Sequence, residues 1–171
     1  MISFFNTILA VGTIALQIAL FATIISWISG GHIHTWVSKH VSLILRVLFV
    51  GSALASLTYE FGFGYAPCLL CWYQRMAIFP LAILLLTAHI TKSALLRTQT
   101  IILSTAGLLV ALFHNYLDIF PSSGLDTCGE GPSCLIRYVY EFGYITIPMM
   151  SATLLVTGIV LTLLARRYPQ A

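Results

Sequence analysis

Charge is what this chain has least of. Of its 171 residues only 8% are Asp, Glu, Lys or Arg, where a soluble domain carries about a quarter. A net charge of +3, thinly spread, excludes a nucleic-acid reader, which needs a clustered basic face. Cysteine is also sparse, with four residues in two close pairs, Cys68/Cys71 and Cys128/Cys134, so a disulfide-dense secreted scaffold is excluded. No internal repeat or low-complexity segment interrupts the chain. The first apolar run has neither a basic leader nor a small-x-small cleavage site, and it therefore reads as a retained span with a packing role rather than a removed signal peptide.

What is abundant is hydrophobicity, at 59% of residues. Five stretches are long enough for helices crossing about 30 Å of hydrocarbon: approximately 7–28, 41–63, 71–90, 99–119 and 144–165. In lipid each backbone polar group must bond within its own segment, so these spans are expected to be helices and the fold all-α. The expected connections are Ser29–His40, Gly64–Leu70, Thr91–Thr98 and a long Gly/Pro/Ser-rich loop, Phe120–Gly143. Orientation follows from the basic residues. Lys39, Arg46, Lys92, Arg97, Arg166 and Arg167 fall on one side if the chain weaves five times with its N-terminus outside. Arg75, Arg137 and all five acidic residues then lie on the outer side, and so do both cysteine pairs.

The chain is organised around Pro67-Cys68-Leu69-Leu70-Cys71-Trp72-Tyr73-Gln74-Arg75. Positions three and four apart share a helix face, so Cys68, Cys71 and Arg75 form one stripe. A cation and a helix N-terminus both favour the thiolate, the form that attacks disulfides. The competing reading is a zinc site completed by Cys128 and Cys134, but a neighbouring arginine opposes a dication. Haem attachment would place His after the second cysteine, where Trp72 stands. The sequence therefore predicts redox chemistry and no metal. Between Cys128 and Cys134, Gly-Glu-Gly-Pro-Ser lets the chain turn back, which makes a disulfide geometrically easy. As a staple so small a loop removes little chain entropy, while a short exposed bridge suits exchange; both roles stay open.

Arg75 lies one turn inside the third span, where a charge either snorkels or marks function; its place on the stripe favours function. His114, one turn before the long loop, lies at a depth similar to Arg75, and with Asn115 and Tyr116 it suggests a polar pocket near the outer surface. His32, His34, His40 and His89 fall at the inner side and read as interface residues. Trp72, Tyr73 and Tyr65 read as interfacial belt residues. Pro148 sits in the first turns of the last span, where proline costs least.

With these residues in view the chain resembles the disulfide bond formation protein B (DsbB) family, in particular its short BdbC-like branch. The likeness rests on Cys68-Leu-Leu-Cys71-Trp-Tyr-Gln-Arg75, Cys128-Gly-Glu-Gly-Pro-Ser-Cys134 and Glu141-Phe-Gly-Tyr-Ile-Thr-Ile-Pro148, and it covers about residues 41–167. It implies a four-helix transmembrane bundle, here with one extra N-terminal helix (residues 1–40) before a redox domain (41–171). It also implies a bacterial inner-membrane enzyme that reoxidises a DsbA-like thioredoxin-fold thiol oxidase and passes the electrons to a membrane quinone, ubiquinone or menaquinone. Under that resemblance Cys128–Cys134 is the pair attacked by the partner, Cys68–Cys71 is the pair beside the quinone, and Cys71 is the thiolate contacting the ring. Arg75 matches the family's quinone-site arginine, and His114 resembles a histidine near the same site. The chain departs from the family in its extra span and in its shorter loop at the second pair. The alternatives are a vitamin K epoxide reductase-like enzyme, which also uses a helical bundle and two cysteine pairs but lacks the arginine-bearing motif, and a non-catalytic metal-handling or channel-like membrane protein.

Overall fold

The computed structural model describes residues 2–30, 32–87, 90, 93–120 and 132–167. Five helices account for most of them: α1 (Ile2–Ser29), α2 (Ile33–Leu57), α3 (Leu69–Thr87), α4 (Ala94–Ile119) and α5 (Ile147–Arg167). All five are long and apolar enough to cross a membrane. No strand occurs among the described residues, only an isolated bridge between Glu141 and Ile145. α2 packs on α3, α3 on α4, α4 on α5 and α5 back on α2, while α1 packs against α2 and α5.

The first helix is polar-in and apolar-out to a degree that water would not permit. The buried residues of α1 are Asn6, Ala10, Thr13, Thr23 and Ser26, whereas Phe4, Ile18, Phe21, Ile25 and Ile28 are exposed. Lipid solvates the large side chains, and small or hydroxylated residues let helices approach. The centre is nevertheless apolar, built on Val41, Leu45 and Phe49 of α2, Leu81 and Leu85 of α3, and Leu155 and Leu164 of α5. Two glycines set the closest approaches. A Cβ on Gly107 would stand 2.8 Å from that of Ala77, and one on Gly158 would stand 2.9 Å from the Phe49 ring.

The helix starts differ from the expected spans. The connection expected over residues 29–40 is largely helical, since α2 begins at Ile33, and the expected boundary at 40/41 falls inside that helix. Its polar-looking start follows one face, burying His34, Val37, Ser38 and Val41, while Gly30, in the left-handed region at φ 71°, supplies the turn. α4 begins at Ala94 rather than Gln99, because the Ser93 side chain caps it by accepting from Leu96 N–H at 3.1 Å. α5 begins at Ile147 rather than Tyr144: Phe142 (φ 52°) and Gly143 (φ 78°) make a tight left-handed turn first. Pro148 occupies the first turn of α5, as expected. α2 ends in one π-turn, Thr58–Gly62, a feature frequent at functional sites.

Gly107→Val is expected to destabilise the bundle by about 1–3 kcal/mol through overpacking against Ala77 and Leu155, read as a lower melting temperature in detergent. An unchanged melt would mean that α3, α4 and α5 do not meet there.

Candidate active site

Cys68 stands immediately before α3, at its N-cap. Its carbonyl accepts from Trp72 N–H at 3.1 Å, and its Sγ accepts from Cys71 N–H at 3.4 Å. The sulfur thus takes the place of the usual capping oxygen, at the helix end that favours negative charge. Cys68 and Cys71 are free thiols whose sulfurs lie 3.0 Å apart, sharing a hydrogen bond. That bond holds the Cys68 thiol well below its ordinary range, at about 4; burial opposes the shift, and His114 adds to it. One negative charge is therefore shared by the pair before the second thiol ionises.

His114 of α4 is 5% exposed and bridges two elements. Its Nε2–H donates to the Cys134 carbonyl at 3.1 Å, which leaves Nδ1 to accept from Gln74 of α3 at 3.2 Å. One sulfur or nitrogen from each of Cys68, His114 and Cys134 lie within 4.8 Å of one another, all three residues buried. Such a cluster has the donor types of a metal site, yet Cys134 is disulfide-bonded, and a disulfide sulfur is not a thiolate ligand. The arrangement instead sets a low-pKa thiol beside a disulfide sulfur, the geometry that exchange requires. Cys128 lies outside the described residues. The expectation of an exposed bridge is corrected at Cys134, which is 4% exposed because its segment is pulled down onto α4: Arg137, three residues on, pairs with Asp118 at the end of that helix.

The direct hydrogen bonds of Arg75 go to α2 and its π-turn. Among the described residues its Nε donates to Ser56 Oγ at 2.9 Å and one terminal nitrogen to Ser56 O at 3.0 Å, and the other pairs with Glu60 in the π-turn. The guanidinium lies 5.1 Å from the Trp72 ring centre. Sequence reasoning missed Glu60 as the partner; the signal was there, since a buried arginine needs an anion at its own depth. Three of its five N–H donors are engaged, and two remain. Tyr65, expected at the interface, instead stacks between Tyr59 (5.6 Å) and Tyr138 (4.4 Å), while Trp72 and Tyr73 are exposed.

Two cavities meet at Cys71. The smaller, about 30 Å³, is lined by Cys68, Cys71, His114, Asp118 and Cys134 among others. The larger, about 400 Å³, is mostly apolar and includes Cys71, Gln74, Arg75, Tyr59 and Tyr65 in its lining. Arg75 therefore lines the large cavity and His114 the small one.

Paired thiols at a helix start, beside a disulfide sulfur and inside a bundle of membrane-length helices, define a membrane thiol–disulfide oxidoreductase. The comparisons with known proteins narrow the class. The family model described as disulfide bond formation protein DsbB matches residues 38–165, and the chain belongs to that family. It is 32% identical to a probable disulfide formation protein C 2 of Bacillus anthracis, over 68% of this chain and 84% of the relative. It is 34% identical to a probable disulfide formation protein of Oceanobacillus iheyensis, over 76% and 93%. It is 32% identical to an SPbeta prophage-derived disulfide bond formation protein B of Bacillus subtilis, over 75% and 88%. No solved structure matches the chain.

Two outcomes are expected of the reduced protein. The 240 nm thiolate absorbance of one cysteine should persist as pH falls from 8 to 5 and disappear near pH 4, the folded pKa of Cys68; Cys71→Ala should move that midpoint upward. A single step in the ordinary thiol range would refute the assignment. Glu60→Ala leaves a buried cation unpaired and should cost about 3 kcal/mol in thermal stability, part of it recovered in the Glu60→Ala/Arg75→Ala double variant.

Proposed function

We propose that the protein reoxidises an extracytoplasmic, DsbA-like thioredoxin-fold thiol oxidase and delivers the electrons to a membrane quinone. The observation that carries this reading is the position of Cys71, shared between a small cavity lined by Cys68, Cys134 and His114 and an apolar cavity of about 400 Å³. The second cavity is of ligand size. Its apolar walls suit a quinone ring, and Arg75 and Gln74 offer donors to ring carbonyls.

The steps are assigned as follows. The partner's thiolate attacks Cys128 of the Cys128–Cys134 disulfide, because Cys134 is buried; a mixed disulfide forms and the Cys134 thiolate leaves. That thiolate attacks Cys68 of an oxidised Cys68–Cys71 bond, a transfer supported by the approach of the two sulfurs within 4.8 Å, and Cys71 is released as a thiolate facing the large cavity. The partner's second thiol resolves the mixed disulfide, and the partner leaves oxidised. The freed Cys128 thiol then attacks Cys134, restoring its own bridge and leaving Cys68 and Cys71 reduced. A quinone bound in the large cavity would take two electrons and two protons from Cys68 and Cys71, leaving as quinol as their disulfide returns. His114 holds Cys134 against Cys68 through its carbonyl, and Arg75, its charge balanced by Glu60, presents its two remaining N–H groups to the cavity.

The remaining assignments complete the reading: residues 41–171 as the redox domain and 1–40 as an added helix with its cytoplasmic connection, a bacterial inner-membrane location, an outer N-terminus, and no metal or nucleic acid. The structure supports a common inner end for the basic residues, since Arg46 donates to the Leu85 carbonyl at 2.8 Å and Arg97 to that of Ile90 at 3.2 Å, away from the cysteines. On this reading both pairs open to the same side.

Cys71→Ser should abolish quinone reduction in protein mixed with reduced partner and a quinone analogue; full turnover would remove Cys71 from the route. After mild reduction, a membrane-impermeant thiol reagent applied to intact cells should reach the cysteine pairs from outside, and labelling of either pair only from the cytoplasmic side would sink the relay.

A further inference from the structure

The first helix is the part of this chain that its family does not account for, since the family match begins at residue 38. α1 is nevertheless fixed in place. Tyr59 Oη donates to Asn6 Oδ1 at 3.0 Å, Gln17 Nε2 donates to Thr153 Oγ1 at 3.0 Å, and Tyr144 Oη donates to Gln17 Oε1 at 2.9 Å. Between these anchors Ile8, Leu9, Gly12, Thr13 and Leu16 line the large cavity that also holds Cys71 and Arg75. The helix is a wall of the site.

The glycines show where that wall is open. Gly107 and Gly158 are explained by close helix contacts, but a Cβ at Gly12 of α1 or Gly51 of α2 would meet nothing within 4 Å. Glycine is among the poorest helix formers, so neither packing nor helix formation accounts for these two. Both line the large cavity and both are exposed, which places them at its mouth. They also face the same level of the bundle. Gly12 lies 17 residues before the end of α1, and Gly51 lies 18 residues after the start of α2. At about 1.5 Å per residue these antiparallel helices bring the two glycines to matching heights, one turn or two deeper than the Asn6–Tyr59 bond.

We propose that α1 and α2 form a lateral portal from lipid into the electron-acceptor cavity, and that Gly12 and Gly51 are the specificity-determining positions that keep it wide enough for the apolar tail of a quinone. This rests on the functional reading above, with the large cavity as the quinone site. The chemistry is recognition by shape: the ring occupies the cavity beside Arg75, and the tail leaves between two helices at positions without side chains. Leucine at either position would fill the mouth while leaving Cys71, Arg75 and the sulfur cluster untouched.

The test uses the full chain in nanodiscs, with a decyl-tailed benzoquinone and its tailless parent as probes. Binding is followed by quenching of tryptophan fluorescence, and turnover with reduced partner is followed separately. Gly12→Leu and Gly51→Leu should each raise Kd and KM for the tailed quinone at least tenfold and change those for the tailless one less than twofold; Gly12→Ala should fall between. Phe21→Leu, on the lipid-facing side of α1, should match the unsubstituted protein. Melting temperatures without quinone should hold or rise, because leucine and alanine favour helix; a large drop in all three glycine variants would show that these positions are packed and overturn the portal. Equal loss of both quinones, or loss of neither, would also overturn it while leaving the quinone reading intact. If the unsubstituted protein binds neither quinone, the functional reading itself fails.

Discussion

A guanidinium cannot sit inside a membrane helix bundle without an answering charge, and the outer end of this protein is arranged around that requirement. Arg75 of α3 is 7% exposed, and Glu60 reaches it from α2. The acid arrives there because α2 finishes in a π-turn, which shifts the direction of its last side chains relative to a continuous α-helix. The same turn buries Tyr59, whose hydroxyl holds α1 through Asn6 and whose ring stacks on Tyr65. One buried ion pair therefore ties together the π-turn, the entry to α3 and the docking of the first helix. Such a pair adds little net stability over an apolar replacement; its role here is to fix where the cavity walls stand.

A second constraint acts at the start of α3. The cap position is taken by a sulfur, so the donors that would bind a hydroxyl oxygen serve a thiolate instead. His114 then binds the carbonyl of Cys134 and, through Gln74, the same helix that carries Cys71. The imidazole is thus a brace between the two cysteine regions, and it keeps their sulfurs close enough for exchange. Phase separation follows from the helix geometry. The sulfur cluster lines the small cavity, the larger apolar cavity opens beside it, and Cys71 lines both.

The sequence reading was correct about the all-helical class of fold, the helical character of the spans, the place of Cys68 and Cys71 at a helix entry, and the family. It read α1 as a packing helix, and α1 does pack on α2 and α5; the polar residues that fix it there, Asn6 and Gln17, stand among apolar ones and make no amphipathic pattern. It also placed the start of α2 several residues late, since polar residues such as His34 and Ser38 look like a connection until the neighbour that buries them is known.

What the linear order decided by itself is the set of spans and the spacing of thiols and arginine along one helix, because hydrophobic run length and three-or-four-residue spacing are local properties. What only the tertiary structure decided is which groups answer one another. Glu60 meets Arg75, His114 meets Cys134 rather than the arginine's cavity, and Gly12 faces a cavity instead of a neighbour. Those two pairings join residues 15 and 20 positions apart, and they depend on how the helices rotate and tilt against each other. No local spacing rule carries that information.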